Sequence, residues 1–124
     1  MDDLNQTTEQ IIGSAIKVHK ALGPGLLESA YEACLRIELE KRGLKHQAQV
    51  VFPVWYEGHQ IDVGYRVDLL VEDSVIIELK AVEKILPIHE AQLISYLKLG
   101  KKRLGLLMNF NVRYMKDGIK RFVN

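Results

Sequence analysis

The run Tyr65-Arg66-Val67-Asp68-Leu69-Leu70-Val71-Glu72-Asp73-Ser74-Val75-Ile76-Ile77-Glu78-Leu79-Lys80-Ala81-Val82 holds both the architecture and the chemistry of this chain in outline. Residues 65–71 alternate, with Tyr65, Val67, Leu69 and Val71 on one face of a strand and Arg66, Asp68 and Leu70 on the other. Residues 75–82 form the next extended run, and Val75-Ile76-Ile77 is apolar enough for a central strand. The polar triplet between them, Glu72-Asp73-Ser74, makes the pair a hairpin. With that loop Val71 pairs with Val75, which brings Asp68 opposite Glu78 and Arg66 opposite Lys80, all on one face.

Opposed side chains on neighbouring strands have Cβ atoms about 4.5–5.5 Å apart, and two like charges there destabilise the pair. A bound cation reverses that penalty. Two carboxylates offer hard oxygen ligands, which favour Mg²⁺ or Mn²⁺ over zinc, with water and substrate oxygens completing the shell. Lys80, two residues beyond Glu78 on the same side of the strand, supplies an ammonium that can orient an attacking water or stabilise charge developing on a phosphate. A Glu-x-Lys triplet also occurs on exposed strands where opposite charges simply alternate. On a central strand, however, charges need partners or a metal.

Working outward, Thr7-Thr8-Glu9-Gln10 reads as a capping box that opens a helix, with Ile11, Ile12, Ala15, Ile16, Val18 and Leu22 as its apolar stripe. Gly23-Pro24-Gly25 breaks it. A second helix is predicted from about residue 27 to 42, with Leu27, Ala30, Tyr31, Cys34 and Leu35 at helical spacing and Gly43 as its C-terminal cap. Residues 49–56 read as a strand in which Pro53 marks an edge or a bulge, and Glu57-Gly58 turns the chain into a second extended run. Pro87 starts a helix that Gly100 ends, residues 103–110 form a further strand, and Asp117-Gly118 turns into a short run at 119–123. The expected order is α-α-β-β-β-β-α-β with room for a terminal strand, an α/β domain of helices packed on a sheet.

A chain of 124 residues can bury one core without staples, so residues 1–124 are expected to form a single domain. Its one cysteine, Cys34, excludes an intrachain disulfide and a cysteine-based zinc or iron–sulfur site, and is expected in the core. The segment Met1-Asp2-Asp3-Leu4-Asn5 lacks the regions of a signal peptide, and no apolar run reaches membrane-span length; the expected location is cytoplasmic, away from membranes. Residues 1–97 carry nine Lys/Arg against fifteen Asp/Glu, whereas residues 98–124 carry eight against one. The basic segment (Lys98, Lys101, Lys102, Arg103, Arg113, Lys116, Lys120, Arg121) is either a solvated surface or a seat for a polyanion beside the acidic site.

These residues carry a resemblance. Asp68, a short hairpin, then Glu78-x-Lys80 is similar to the active-site signature of the PD-(D/E)XK nuclease superfamily, and Gly25-Leu26-Leu27-Glu28-Ser29-Ala30-Tyr31 resembles the motif that names the GxxExxY family within it. The likeness runs nearly end to end, through Gly-Pro-Gly-Leu-Leu-Glu-Ser-x-Tyr, Asp-Leu-Leu-Val-Glu-Asp, Ile-Glu-Leu-Lys-Ala-Val-Glu, Pro-x-His-Glu-Ala-Gln-Leu-x-x-Tyr-Leu and Gly-Leu-Leu-x-Asn-Phe in that order. Val67 stands where the superfamily's name has a proline. The resemblance implies a restriction-endonuclease-like mixed central sheet flanked by helices. It also implies that Asp68 and Glu78 hold a divalent metal with the backbone carbonyl of Leu79, that Lys80 is the catalytic lysine, and that Glu28 binds metal directly or through water.

Gln92 and Tyr96, at i and i+4 of the later helix, resemble a Gln-x-x-x-Tyr motif that lines the site in related nucleases, and His89 on the same face is expected to touch substrate. Tyr31 is expected in the core with a satisfied hydroxyl. The leading expectation is a Mg²⁺- or Mn²⁺-dependent nuclease that hydrolyses DNA or RNA. Its rivals are a nucleic-acid-binding module without appreciable cleavage and a protein-interaction domain. A domain this small offers little surface for gripping a duplex, so a homodimer or a partner subunit is also expected.

Overall fold

The structure, a computed structural model, describes residues 2–124, and side-chain burial from Leu4 onward. Met1, where the expectation of a non-secretory N-terminus begins, lies outside the described residues. The elements are α1 (Asp2–Leu22), α2 (Glu28–Lys41), β1 (His46–Tyr56), β2 (His59–Val71), β3 (Val75–Lys80), α3 (Pro87–Gly100), β4 (Leu104–Asn109), a 3-10 turn (Met115–Gly118) and β5 (Ile119–Val123). The strands form one mixed sheet in the order β1-β2-β3-β4-β5, with β3 and β4 parallel and the other neighbours antiparallel. Among the described residues no helix is long and apolar enough to cross a membrane.

Two cores sandwich the sheet. On one face α1 and α2 contribute Ile11, Ala15, Val18, Tyr31, Leu35 and Leu39, which pack on Leu69 and Val71 of β2, Val75, Ile77 and Leu79 of β3, and alternate residues of β4. On the other face Leu93 and Leu97 of α3 cover Val67, Leu70, Ile76 and Leu107. Leu93 lies so near Gly105 that a Cβ there would sit 2.9 Å from its Cδ1, so glycine sets how closely α3 approaches the sheet. Cys34 is half-buried against the first core.

Several expectations needed correction. The first helix begins at Asp2, upstream of the expected capping box; Thr8 lies inside it and its Oγ1 donates to the Leu4 carbonyl at 2.7 Å, the bond a threonine makes within a helix. The expected second and third strands are one, β2, because Gly64 does not break it. A Cβ at Gly64 would lie 2.3 Å from the Phe52 carbonyl, so the glycine admits a close approach where the β1–β2 register shifts around Pro53 on the edge strand. The turn at Glu57-Gly58 is tight, both residues having positive φ. The strand expected over residues 75–82 ends at Lys80.

The basic segment does not gather beside the acids. Lys101, Lys102 and Arg103 precede Leu104, which pairs with Val75 at the opposite end of β3 from Lys80. Lys102 is paired with Asp73 there at 3.2 Å, and Lys120 with Glu90 at 3.0 Å. Arg113 and Lys116, in contrast, follow the Asn109 end of β4, which is the end that carries Lys80.

The layered burial fixes where truncation is felt. Ile77 is fully buried on the central strand, so Ile77→Ala should lower unfolding free energy by about 2–5 kcal/mol. Val63, 77% exposed on the β1–β2 arm, should change it by less than about 0.5 kcal/mol on substitution by Ala. Urea titration with equal m-values checks both.

Candidate active site

The β2–β3 ladder holds the expected register, Val71 with Val75 through Leu69 with Ile77, and stops there. Beyond it the acids take over the hydrogen bonding. The Asp68 N–H donates to Glu78 Oε2 at 2.8 Å, and the Leu79 N–H donates to Asp68 Oδ2 at 2.8 Å. Each carboxylate therefore caps the main chain of the other strand, which satisfies N–H groups that the parting strands would otherwise strand. The two acids do converge. Arg66 is not opposite Lys80: it pairs with Val51 of β1, and Lys80 pairs with Asn109 of β4.

A local switch places Asp68. On β1, Gln49 has φ +55, and the paired residues step from Ala48–Leu69 to Val50–Val67 around it. The expected alternation fails at this point: Leu69 and Val71 join the α1/α2 core, but Val67 joins the α3 core with Leu70. Asp68 sits at the inversion, half-buried. Gln49 Nε2 donates to Glu32 Oε1 of α2 at 2.8 Å and lies 3.5 Å from Asp68 Oδ1.

Each acid keeps one oxygen largely uncommitted. Asp68 Oδ1 has only the long Gln49 contact, and Glu78 Oε1 accepts no hydrogen bond from any described residue. Because no buried side-chain oxygen or nitrogen among the described residues lacks a partner, that Glu78 oxygen reaches solvent even though the residue is only 6% exposed. Burial pushes the Glu78 carboxyl up to about 8, with the Asp68 charge adding to the rise and Lys80 opposing it. Two open carboxylate oxygens, one of them held at a raised pKa beside a like charge, fit a hard divalent cation in donor chemistry. Among the described residues, however, no group of three or more His, Cys, Asp or Glu side chains is already gathered as a cage.

Lys80, half-buried, forms no ion pair among the described residues. Glu28 opens α2, and its Oε2 accepts from the Ala81 N–H at 3.1 Å, so this third acid meets the end of β3 just past Lys80. Tyr31 explains its placement. The Tyr31 hydroxyl donates to the Gly23 carbonyl at 2.6 Å and accepts from the Leu26 N–H at 3.1 Å, while its ring stacks on Phe110 with centroids 4.5 Å apart. The turn that feeds Glu28 into α2 is thus tied to the core. Gly25 within that turn has φ +100, a conformation that strains any residue with a Cβ.

Across the sheet, Tyr96 of α3 is half-buried and stacked on Tyr65 at 4.5 Å. Burial raises its hydroxyl pKa, and the Glu78 and Asp68 charges raise it further. Gln92 is exposed one turn before it. His89 is engaged in the helix itself, because its Nδ1 accepts from the Leu86 N–H at 3.0 Å and caps α3.

A family model described as the PD-(D/E)XK nuclease superfamily matches residues 5–122. The chain belongs to this superfamily. The mixed five-stranded sheet with helices on both faces is accordingly the restriction-endonuclease-like fold of the PD-(D/E)XK proteins. A search of the curated proteins found no match. Among solved structures, the one described as "Crystal structure of SSO0001" aligns with a TM-score of 0.48 at 19% identity, covering 76% of this chain. This chain spans about half of that protein, 47% of its length.

Three residues that shape this candidate site are not singled out by the sequence reading. Asn109, buried at the end of β4, accepts from the Val82 and Asn111 N–H groups through Oδ1 and donates to the Val82 carbonyl through Nδ2, so it holds the chain leaving Lys80. A single amide ending an otherwise apolar strand was the available signal. Glu32, one turn beyond Glu28 on the same helix face, was likewise legible by spacing; Gln49 left no trace in the pattern.

The raised Glu78 carboxyl has a stability consequence. Its folded-state pKa lies above the unfolded value, so the folded chain binds the proton more tightly and metal-free stability falls as pH rises from about 4.5 to about 8. The loss should be at most about 5 kcal/mol, and Glu78→Gln should flatten the slope and melt above the wild type at pH 8. Thermal melts in chelator across this range test both; a wild type that gains stability with pH there, with Glu78→Gln unchanged in slope, contradicts them.

Proposed function

We propose that this chain is a metal-dependent phosphodiesterase acting on DNA or RNA. The observation that carries the reading is the Asp68–Glu78 exchange at the parting of β2 and β3, with an open oxygen on each acid and Lys80, unpaired among the described residues, beside them. Asp68 and Glu78 would hold Mg²⁺ or Mn²⁺, with the Leu79 carbonyl as a third ligand and Glu28 reached directly or through water. Such an ion, when bound, supplies Lewis acidity and a more acidic water. Lys80 holds its ammonium where negative charge builds on the phosphate. Tyr96 and Gln92 line the α3 side and orient the strand, and His89 fixes the helix end that carries them.

The motif formed by Gly25, Glu28 and Tyr31 supports membership of the GxxExxY family within the superfamily, because Gly25 shapes the turn and Tyr31 ties it down so that Glu28 is set at the start of α2. The reading places its action in the cytoplasm, and a single cysteine with no disulfide partner in the chain supports a reducing compartment. Exposed apolar side chains on the β1–β2 arm, among them Val51, Trp55 and Val63, support a homodimer or a partner subunit.

The test is direct. Purified protein is incubated with single- and double-stranded DNA and RNA in Mg²⁺, Mn²⁺ or chelator. Cleavage should require metal, and Asp68→Ala and Lys80→Ala should each reduce its rate by at least about 100-fold, while both variants keep the wild-type circular dichroism. Salt-sensitive binding with no cleavage under any metal would favour the binding module instead. Absence of binding even at low salt would leave the protein-interaction domain.

A further inference from the structure

We infer that the cavity between the end of α1 and residues 113–116 is a docking pocket for an unpaired stretch of the nucleic-acid strand whose phosphate meets the acid pair, an inference that rests on the nuclease reading. The cavity has a volume of about 500 Å³, and its lining combines apolar Ile16 and Pro24 with the exposed side chains of Lys20, Arg113, Tyr114 and Lys116. Among the described residues no carboxylate lines it. None of its three cations is in an ion pair among the described residues. The C-terminal end of α1 at this wall contributes only about half a negative charge, against three whole positive ones. The pocket therefore keeps a net attraction for anions.

Its second feature selects among anions. Tyr114 is 53% exposed, and the Arg113 guanidinium carbon lies 5.2 Å from the centre of its ring. An exposed aromatic ring backed by a guanidinium is a platform for a nucleobase, and cations around it suit the phosphates on either side. Bases in a duplex are stacked on one another and have no face to offer, so the occupant is a strand with unpaired bases. The platform is also rigid. Buried His19 of α1 bonds through Nε2 to the Val112 carbonyl at 2.7 Å, and buried Met115 anchors the other side of Tyr114 in the core.

Position links the pocket to the acids. The Phe110 N–H donates to the Lys80 carbonyl at 2.9 Å, so the chain leaving β4 starts beside the candidate lysine. Arg113 lies three residues beyond Phe110, a reach of roughly 10 Å at most. That is about three nucleotide steps at the 3.4 Å spacing of a stacked strand, and fewer for a more extended one. The same strand can thus occupy both places, with unpaired bases in the pocket a few positions from the phosphate at Asp68 and Glu78.

The test is equilibrium binding by the full chain in chelator, where cleavage cannot interfere. The probe is a short fluorescent oligonucleotide presented as single-stranded DNA, single-stranded RNA or blunt duplex DNA. Both single strands should bind more tightly than the duplex. Arg113→Ala and Lys116→Ala should each reduce the slope of log affinity against log salt by about 0.7. Tyr114→Ala should weaken single-strand binding by about 5- to 150-fold and Tyr114→Phe should preserve it; Lys102→Ala, at the far end of the sheet, should change nothing. All of these side chains lie outside the core, and unchanged melting temperatures verify folding. Single-strand binding indifferent to the Arg113, Tyr114 and Lys116 substitutions overturns the pocket and leaves the nuclease reading standing, as does duplex binding equal to that of the single strands. A wild type that binds none of the three probes at low salt removes both.

Discussion

Where β2 and β3 separate, the main chain loses its ladder, and the bonds that replace it come from Asp68 and Glu78. This reciprocal capping constrains much else in the molecule. It requires acids, or their amides, at these two positions for the sheet to open without stranded N–H groups. It also leaves one oxygen of each acid free, so the groups that hold the strands apart are the groups that face the gap. Fold and chemistry share the same two side chains. The cost is concentrated on Glu78, whose buried charge beside Asp68 is relieved by a proton or by a cation.

The surroundings of this pair are graded. Residues around it are anchored by others set deeper: Glu28 by the Tyr31 turn, the β3 exit by Asn109, and Tyr96 by its stack on Tyr65. Concavities of about 450 and 360 Å³ border Glu72 and Asp73 at the other end of the sheet, remote from the acids. Their size reflects the shape of the hairpin end, whereas the gap at the acid pair is defined by hydrogen bonding and charge.

The hairpin register was legible in the sequence because a three-residue loop between two apolar runs leaves few alternatives, and Val71 does pair with Val75. The convergence of Asp68 and Glu78 followed from it. The way they converge did not, since period-two alternation assumes an unbroken ladder, whereas Gln49 with its positive φ inverts the faces between Val67 and Leu69. That the second and third expected strands are one was also hidden, because Gly64 continues β2 through a close approach to a neighbour with no sequence proximity, the Phe52 carbonyl. Linear charge counting left the basic segment open between a solvated surface and a polyanion seat, because it cannot see the helix-to-strand reversal that leaves Lys101, Lys102 and Arg103 at the end of the sheet opposite Lys80. Local signals such as Glu57-Gly58 and the α2 boundaries were read correctly, being set by residues adjacent in the chain.

Tyr31 ties together two properties that are usually separable in an α/β protein. Its ring belongs to the interior through Phe110, and its hydroxyl holds the loop that delivers Glu28. A cavity opened beneath that ring would let the loop drift, and Glu28, three residues before Tyr31 on the same helix, would drift with it. Changes in the interior packing beneath Tyr31 are thereby coupled to the alignment of the third acid, so this chain has little freedom to vary that packing while holding the acid in place.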